Sequence, residues 1–542
     1  MPTCADDWLL QTVARGEWGF DGYVTSDCDA DNDVFASHHF TATAEEAVQA
    51  ILRAGTDVDC GDFVPKNAQA ALDEHLISEA DVDARLRNLF LVRLRLGHFE
   101  STPHPSDRYG HESLCRPETL ETALDGVAQA ATLLKNEKGA LPLPAAGSVA
   151  VIGPNANLSR NDAGYYGPGN PCGQRYWNLV DAVAEHAQGA VTSALGVPSI
   201  SSANTSGIAA AVALARAADR VVLALGTDLT WAMEGHDADA VTGLSLSPGQ
   251  HALVANVTAA AKAPVVVVLL TATPLDVSSL LANPRVGAVL HVGQPAVAVL
   301  GAGRVLYGLK SPAGRMVQTV YKAALATQVS PFDMNMRPGP STWPAPGCTK
   351  PFEQCVNGTN PGRTYRFYTG EAIVPFGFGL SYTTFEYSVR PRVAAGRATR
   401  EPPAREALSL LPLRSLLDEV RAAGRSFVPH ARIEAAPPLI EYEVTVTNTG
   451  GFDADDVVLG FLTPPGAGQG GVPLKTLFGF ERVHVKAGQS VSVFLYPTLA
   501  DFSAVDGTGA RRALPGEYVF SFGVREAAGR GMGYAEHSVV AE

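Results

Sequence analysis

The stretch from Gly19 to Ala30, GFDGYVTSDCDA, constrains the fold of this chain more than any other. A Gly-Phe-Asp-Gly turn leads into Tyr23-Val24-Thr25, a β-branched and aromatic run that predicts a short buried strand. The strand ends in the polar run Ser26-Asp27-Cys28-Asp29. A carboxylate at the C-terminal end of a buried parallel strand is a usual catalytic position in a β/α barrel. Spacing alone nevertheless favours a helix cap or a turn for Asp27.

The composition excludes several classes of protein. A chain of 542 residues is long enough for about three or four domains, and 46% hydrophobic with 18% charged residues predicts folded cores rather than disorder. The net charge of −14 argues against a nucleic-acid partner. No apolar run approaches the roughly 18 residues of a membrane span, and the best candidate, Ala263 to Leu270, predicts a core strand.

The cysteines and the first residues of the chain bear on whether the protein is secreted. The first seven residues lack the basic and hydrophobic regions of a signal peptide. The seven cysteines are too scattered for a disulfide scaffold and show no zinc-ligand spacing. Cys28 and Cys60 each lie beside a predicted strand end, and a disulfide between Cys348 and Cys355 would close a proline-rich loop. Four N-glycosylation sequons permit a secretory setting without proving it; they lie at Asn157, Asn204, Asn256 and Asn357.

Residues 1–100 alternate predicted strands and helices. After the strand that ends at Asp27, a helix is predicted from Thr43 to Arg53, then a short strand over Thr56–Asp59 and an amphipathic helix from Ser78 to Gly97. These elements make two βα units and a trailing helix. An eight-stranded β/α barrel takes roughly 250 residues, so we expect only about the last quarter of one here.

The middle of the chain predicts a second α/β domain. Residues 101–139 form a linker and a helix from Pro117 to Asn136, and residues 140–330 alternate apolar strands with alanine-rich helices. Nearly all-apolar strands are typical of a parallel sheet that helices cover on both faces, so we predict a doubly wound α/β sandwich. The strands are expected at 149–152, 221–225, 265–270 and 286–291, and the helices at 206–218, 250–261 and 296–307. No G-x-G-x-x-G pattern follows Gly153, which argues against a nucleotide site.

In the last part of the chain, the spacing of the apolar residues changes. Residues 331–383 are a loop-rich connection, and residues 384–542 predict a small antiparallel β-sandwich with an Arg/Ala/Pro-rich, partly helical or flexible insertion at about 391–437. From Ile440 onward, apolar and polar residues alternate, which is typical of strands with one buried face. Strands are expected at 457–462, 491–496 and 518–524.

Several of these segments together resemble glycoside hydrolase family three, on the branch of fungal and plant β-D-xylosidases, and the resemblance spans nearly the whole chain. The GYVTSDCDA segment resembles the family's nucleophile segment, and RAGTDVDCG resembles the following barrel strand. The other matching segments are LLKN, LPL and VIGPNA at the entry to the second domain, then SPAGR, GRTYR, PFGFGLSYTTF and KTLFGF. The combination is specific, although no single segment is.

The resemblance implies a fold and an activity. The fold is multidomain α/β, with a partial (β/α)8 barrel, an α/β sandwich and a C-terminal fibronectin type III-like β-sandwich. The activity is that of a retaining exo-glycosidase acting on terminal xylosyl residues of xylan-derived oligosaccharides. Asp27 would then be the nucleophile that forms a glycosyl-enzyme, and this chemistry needs no metal or organic cofactor. The resemblance also implies an extracellular protein with an oligosaccharide as its partner.

The general acid/base is predicted by the same resemblance on a loop of the second domain. The family pattern there resembles G-L-D-x-x-x-E-x-E-G-x-D-R, and this chain reads GTDLTWAMEGHDA over Gly226–Ala238. Its second Glu is Glu234, whereas Ala232 and Ala238 replace the first Glu and the Arg. Glu234 is thus the candidate acid/base, with a solvated loop carboxylate as the alternative. Three neighbours are candidate substrate-binding residues, with packing or solvated roles as the alternative: Trp231, His236 and Asp237.

The barrel strands that carry the family's glycone pocket are absent from this sequence. A quarter of a barrel leaves strand edges unpaired and apolar faces uncovered, so we expect the N-terminally truncated chain alone to be no competent hydrolase. β-Glucosidase and α-L-arabinofuranosidase activities remain alternatives, because the missing pocket sets sugar specificity. A non-catalytic carbohydrate-binding or structural remnant is the alternative from a different class.

Overall fold

The computed structural model describes residues 1–102, 104–157, 172, 176–228, 243–271, 273–392, 408–424, 432, 436–505 and 511–542. They divide into two compact units, Met1–Ser113 and Leu114–Glu542. Within these residues, no helix is both long enough and apolar enough to cross a lipid bilayer.

The first unit is mainly helical. Its two predicted strands pair with each other at only one isolated β-bridge. Thr25 and Val58 form a parallel bridge, and the Ser26 amide donates a hydrogen bond to the Val58 carbonyl at 2.9 Å. Its helices are a π-type helix over Trp8–Glu17, α1 (Ala30–Ala36), α2 (Ala44–Ala54), α3 (Phe63–Asp73) and α4 (Glu79–Arg95), with short 3-10 turns at Thr3–Ala5, Pro105–Arg108 and His111–Ser113. Val34, Val48 and Ile51 are fully buried in its core.

Local sequence explains where α2 begins and ends. Thr43 Oγ1 accepts a hydrogen bond from the Glu46 amide at 3.1 Å, and Glu46 Oε2 accepts one from the Thr43 amide at 3.3 Å. This reciprocal capping box satisfies two amides that the first helical turn leaves free. Gly55 then takes a φ of 113°, which ends the helix. α4 was predicted from a similar cap, but Phe90 and Leu94 on its apolar face remain 40% and 57% exposed.

A six-stranded mixed sheet forms the core of the α/β sandwich in the second unit. Its order is β1-β6-β5-β4-β2-β3, and all neighbours except β1 and β6 are parallel. The strands are β1 (Thr132–Asn136), β2 (Val149–Ile152), β3 (Val191–Ala194), β4 (Arg220–Gly226), β5 (Val265–Leu270) and β6 (Val286–His291). Helices α5 (Pro117–Ala130), α6 (Leu179–Ala184), α7 (Ile208–Ala217), α8 (Pro248–Ala260), α9 (Ser278–Ala282) and α10 (Leu300–Leu306) accompany it. The alternation of strand and helix that the sequence predicted is confirmed.

The predicted helix from Pro117 to Asn136 is wrong at its C-terminal end. The helix stops at Ala130, and Thr132–Asn136 form β1, an antiparallel edge of a sheet predicted to be parallel throughout. Leu133 and Leu134 are both buried, so the run has neither helical nor alternating periodicity. Lys135 is buried as well, and its Nζ donates hydrogen bonds to the carbonyls of Leu281 and Asn283 at 2.8 and 3.0 Å. The sandwich therefore includes a strand that lies before its predicted start at residue 140.

The connection after the sandwich is loop-rich, as predicted, and contains one hairpin. β7 (Gly339–Pro344) pairs with β8 (Asn357–Asn360), and a short helix, α11 (Thr364–Phe367), follows. A disulfide joins Cys348 to Cys355, which confirms the predicted pairing, and a second joins Cys115 to Cys172. The second disulfide was not predicted, because no pattern links cysteines 57 residues apart.

The C-terminal region is a β-sandwich of two antiparallel sheets. The first has the order β13-β10-β9 and the second β12-β11-β16-β17. The strands are β9 (Phe385–Arg392), β10 (Glu441–Asn448), β11 (Ala454–Thr463), β12 (Thr476–Val485), β13 (Ser490–Leu495), a small β14–β15 hairpin (Ser503–Val505 and Arg511–Ala513), β16 (Gly516–Phe522) and β17 (Ala535–Ala541). Tyr442, Val444 and Val446 are fully buried, as the alternation from Ile440 predicted. Within the predicted insertion, the structure describes one helix, α12 (Leu411–Ala422).

Candidate active site

Asp27 lies directly beyond the point where the two strands of the first unit pair, and it is exposed. Its Oδ1 accepts a hydrogen bond from the Cys28 amide at 2.8 Å. The N-cap position of α1 is occupied by Asp29, whose φ of 62° places it in the left-handed region that Asp tolerates better than most residues. The helix-cap position thus goes to Asp29, and the Asp27 carboxylate faces solvent.

Asp57 fixes the strand that leads to Asp27. Its side chain is fully buried, and its Oδ2 accepts hydrogen bonds from Arg15 Nη2 at 2.7 Å and from the Val24 amide at 2.8 Å. Its Oδ1 accepts one from Asn88 Nδ2 at 2.9 Å and lies 3.1 Å from Arg85 Nη1. A buried carboxylate requires such pairing, because an isolated charge in the interior is very costly. The strand therefore takes its position from three other segments of the unit, namely the strand that carries Asp57, the π-type helix that carries Arg15, and α4.

A second set of contacts joins the ends of the two strands. Cys28 and Cys60 form a disulfide with a Cα–Cα distance of 4.4 Å. The Cys60 amide donates a hydrogen bond to Ser26 Oγ at 2.9 Å, and the Asp29 amide donates one to the Cys60 carbonyl at 2.8 Å. Asp27 thus lies in a segment that is held on both sides, by Ser26 and by the residues that follow it. Such constraint positions a reacting carboxylate with little conformational freedom to lose.

Asp31 interacts with two half-buried side chains, Cys4 and Asp59, in a cluster that the sequence did not reveal. Asp31 is fully buried, and neither of its carboxylate oxygens has a hydrogen-bond partner among the described residues. Burial and the charge of Asp59 raise the pKa of Asp31 to about 7. Burial, together with the charges of Asp31 and Asp27, raises the pKa of the Cys4 thiol to about 12. In the sequence, Asp31 looks like one more acidic residue in the first turn of a helix, so no local signal sets it apart.

Residues 229–242, which contain the candidate acid/base Glu234 and the candidates Trp231, His236 and Asp237, lie outside the described residues. The structure does describe the residues on either side. Before the segment, the Thr227 amide donates a hydrogen bond to the Leu270 carbonyl at 2.9 Å, and Asn155 Nδ2 donates one to the Thr227 carbonyl at 2.9 Å. After it, Ser245 pairs with Asp276 in a parallel bridge. Both ends of the segment are therefore anchored to the sandwich.

Gln250 holds the strand end from which this segment departs. Its side chain is 1% exposed; its Oε1 accepts a hydrogen bond from the Gly226 amide at 3.0 Å, and its Nε2 donates to the Gly226 carbonyl at 3.0 Å. The same Nε2 donates to the Ile200 carbonyl at 2.9 Å. Gly226 has a φ of 143°, and a Cβ there would lie 2.0 Å from the Leu270 carbonyl oxygen, so only glycine fits. In the sequence, Gln250 stands out only as the first residue of the helix predicted at 250–261.

Known protein families match most of the second unit. The glycosyl hydrolase family 3 C-terminal domain matches residues 131–382, and the fibronectin type III-like domain matches residues 456–525. These ranges coincide with the α/β sandwich plus its connection and with the central strands of the β-sandwich.

Named relatives match almost the whole chain. Beta-D-xylosidase 1 of Arabidopsis thaliana is 34% identical over 529 residues, covering 96% of this chain and 64% of its own length. Beta-xylosidase/alpha-L-arabinofuranosidase 2 of Medicago sativa subsp. varia is 33% identical over 531 residues, covering 96% and 63%. This chain thus spans less than two thirds of the length of these relatives.

A solved structure shows the same fold. It is a GH3 exo-beta-xylosidase in complex with a xylobiose aziridine activity-based probe, and it aligns with a TM-score of 0.81 at 27% identity, covering 100% of this chain and 64% of the other. Its similarity extends over both described units. The two domain matches, the named relatives and this shared fold together show that the chain carries a glycosyl hydrolase family 3 C-terminal domain and a fibronectin type III-like domain.

Proposed function

We propose that this chain is the C-terminal part of a retaining exo-glycosidase that removes terminal β-D-xylosyl residues from xylan-derived oligosaccharides. The observation that carries the proposal is the geometry of Asp27, an exposed carboxylate at the end of a strand that a buried ion pair, a disulfide and a serine hydroxyl hold in place. The named xylosidase relatives and the solved structure bound to a xylobiose-derived probe support xylosides as the substrate class. Three disulfides among the described residues fit an extracellular setting, which we also propose.

In the proposed mechanism, Asp27 attacks the anomeric carbon and displaces the leaving-group oxygen, which Glu234 protonates. The product of this step is a glycosyl-enzyme ester on Asp27. Water then attacks the anomeric carbon while Glu234, now a carboxylate, takes its proton, and Asp27 leaves. The hydrogen bond from the Cys28 amide to Asp27 stabilises the carboxylate that must be ionised before attack and again after hydrolysis.

A trapping experiment tests the nucleophile directly. The chain is prepared alone and as a fusion behind the segment of the Arabidopsis relative that it does not span. Each form is then incubated with a xylobiose aziridine and digested for mass spectrometry. We expect the label on the peptide that contains Asp27, and we expect Asp27→Ala to remove it and to abolish hydrolysis of nitrophenyl β-D-xyloside. Asp62→Asn, at an exposed carboxylate of the same unit, is the matched control.

The outcomes separate the candidate functions. Turnover that survives Asp27→Ala contradicts the assignment of the nucleophile. An absence of both labelling and turnover in the two forms favours a non-catalytic carbohydrate-binding or structural role. A panel of nitrophenyl glycosides distinguishes xylosidase from β-glucosidase and α-L-arabinofuranosidase activity, and the Medicago relative's double name makes the arabinoside the first alternative to test.

A further inference from the structure

A cavity of about 240 Å³ opens in the second unit, where the connection meets the β14–β15 hairpin of the β-sandwich. Among the described residues, its lining includes three arginines, Arg337, Arg366 and Arg511, and one acidic residue, Asp501. The chain as a whole carries a net charge of −14, so a concave site with an excess of positive charge runs against the overall charge of the protein. A cleft of one sign of charge attracts ligands of the opposite sign.

The local contacts leave the arginines with donors to spare. Phe367 is buried, and the guanidinium carbons of Arg337 and Arg366 lie 5.1 and 5.4 Å from its ring centroid. Arg337 Nε donates a hydrogen bond to the Gly471 carbonyl at 3.0 Å, which fixes the direction of its planar group. Among the described residues, no carboxylate forms an ion pair with Arg337 or Arg366. The ring of Phe367 therefore holds two unneutralised guanidinium groups at the rim of one cavity.

The third arginine and the aspartate form the other wall. Arg511 Nη1 donates a hydrogen bond to Ser503 Oγ at 2.7 Å, which orients the guanidinium group. Asp501 interacts electrostatically with Arg511, and its Oδ2 accepts hydrogen bonds from the Thr498 amide at 2.7 Å and from Thr498 Oγ1 at 2.8 Å. Asp501 thus caps its own turn, and it is the one carboxylate that the described part of the lining places beside three guanidinium groups.

We propose that this cavity binds the carboxylate of an acidic monosaccharide, a hexuronic acid unit, free or as a substituent of an oligosaccharide. Guanidinium groups recognise a planar carboxylate by paired N–H···O bonds, which supplies the anionic part of the recognition. The volume suits a single sugar ring, and hydroxyls and carbonyls in the lining, such as those of Ser503, Thr476 and Gly471, suit sugar hydroxyls. The choice of a sugar rests on the proposed function, whereas the need for an anion rests on the arginines.

Calorimetric titration of the chain at low ionic strength tests this proposal without any measurement of catalysis. Sodium glucuronate is expected to bind in the millimolar range, and the neutral matched sugar glucose is expected to give no saturable heat. Arg337→Gln combined with Arg366→Gln should weaken glucuronate binding at least tenfold. Arg530→Gln, at an exposed arginine of the same unit outside the cavity, should leave it unchanged. Added salt should weaken binding, because the rim is exposed to solvent.

Three results would overturn the proposal. Equal binding of glucose and glucuronate removes the role of the carboxylate. Tighter binding of inorganic phosphate than of glucuronate replaces the sugar acid with a general oxyanion. Unchanged binding in the double variant, with the circular dichroism of the parent chain, shows that the arginines are not the recognition groups. A failure of Asp27 labelling with intact glucuronate binding would contradict the proposed catalysis alone.

Discussion

Arg15 and Asp57 form a buried ion pair 2.7 Å long across 42 residues of sequence, and Asp57 also binds the backbone of the strand that precedes Asp27. Arg15 Nη1 donates a further hydrogen bond to the Gly22 carbonyl at 3.0 Å. The pair therefore binds the backbone of this segment at two points, the carbonyl of Gly22 and the amide of Val24. The position of the candidate nucleophile depends on a carboxylate that lies outside the candidate site.

We expect Asp57→Asn to destabilise the first unit by about 3 kcal/mol, because it leaves the buried guanidinium groups of Arg15 and Arg85 without a counter-charge. Urea unfolding monitored by hydrogen exchange of residues 1–113 measures the change. The control is Asp62→Asn, which breaks the exposed pair with Lys66 and should have little effect. Equal stability in the two variants would show that Asp57 does not organise the strand.

Cys4 is the one cysteine among the described residues outside a disulfide, so alkylation reports on it alone in the folded chain. Its pKa is raised to about 12, first by burial and then by the charge of Asp31, so its thiolate is scarce at pH 8. We expect iodoacetamide to react with Cys4 far more slowly than with an unfolded-chain thiol. Asp31→Asn should speed the reaction about tenfold, because it removes a neighbouring negative charge. A rate unchanged by Asp31→Asn would place that carboxyl away from the thiol.

The raised pKa of Asp31 predicts how stability changes with pH. The folded carboxyl, at about 7, keeps its proton over a range where the unfolded carboxyl, near 3.8, has lost it. The stability of the first unit should therefore fall as pH rises from about 4 to 7, by about 2 kcal/mol after allowance for solvent screening. The charged and titratable groups that face Asp31 are Asp59 and Cys4.

Hydrogen exchange of α2 between pH 5 and 7.5, corrected for the intrinsic exchange rate, measures this slope. Asp31→Asn should flatten it, because the amide does not titrate. A slope that persists in the variant would assign the pH dependence to another group.

Gln250→Ala should remove three buried hydrogen bonds, two to the backbone amide and carbonyl of Gly226 and one to the carbonyl of Ile200. We expect a loss of about 2–3 kcal/mol, since the groups left behind are buried and unpaired. The second unit's unfolding midpoint in urea measures this loss. Asn256→Ala on the exposed side of the same helix is the control, because its side chain bonds only to its own helix. Matching losses in both variants would contradict a specific role for Gln250.

Glu234→Gln should have an effect that depends on the leaving group. With xylobiose, whose leaving alkoxide needs a proton, we expect kcat to fall at least a hundredfold. With 2,4-dinitrophenyl β-D-xyloside, whose leaving group needs no proton, glycosyl-enzyme formation should be nearly unaffected. Presteady-state release of dinitrophenol measures that first step. A similar loss on both substrates would indicate a structural rather than an acid/base role for Glu234.

The sequence predicted most of the sandwich and the place of Asp27 after a strand. Val265–Leu270 and Val286–His291 were predicted correctly as strands, because continuous apolar runs between helices mark buried parallel strands. Thr132–Asn136 was predicted incorrectly, because a strand buried on both faces has no period that distinguishes it from a helix end. The family resemblance singled out Asp27, whereas spacing alone favoured a cap or a turn. Its position after a strand is confirmed, and its catalytic role remains a prediction.

The remaining contacts of the site depend on pairs that are distant in the sequence. Asp57 appeared only as one acidic residue in a short strand, and its partners Arg15 and Arg85 had no visible relation to it. Asp31 appeared as a helix-start acid, although it is fully buried. Burial and pairing of this kind follow from tertiary packing, so no local pattern carries them.

Thr227 and Ser245 are both bonded to the sandwich, so the sequence between them can change without moving either end. Because Gln250 holds the backbone of Gly226 at the end of β4, we expect substitutions in residues 229–242 to leave the sheet intact. The pattern that this stretch resembles has Glu and Arg at the two positions where this chain has Ala232 and Ala238. Divergence among members of this family should therefore concentrate in catalytic behaviour at this loop, and hardly register in thermal denaturation.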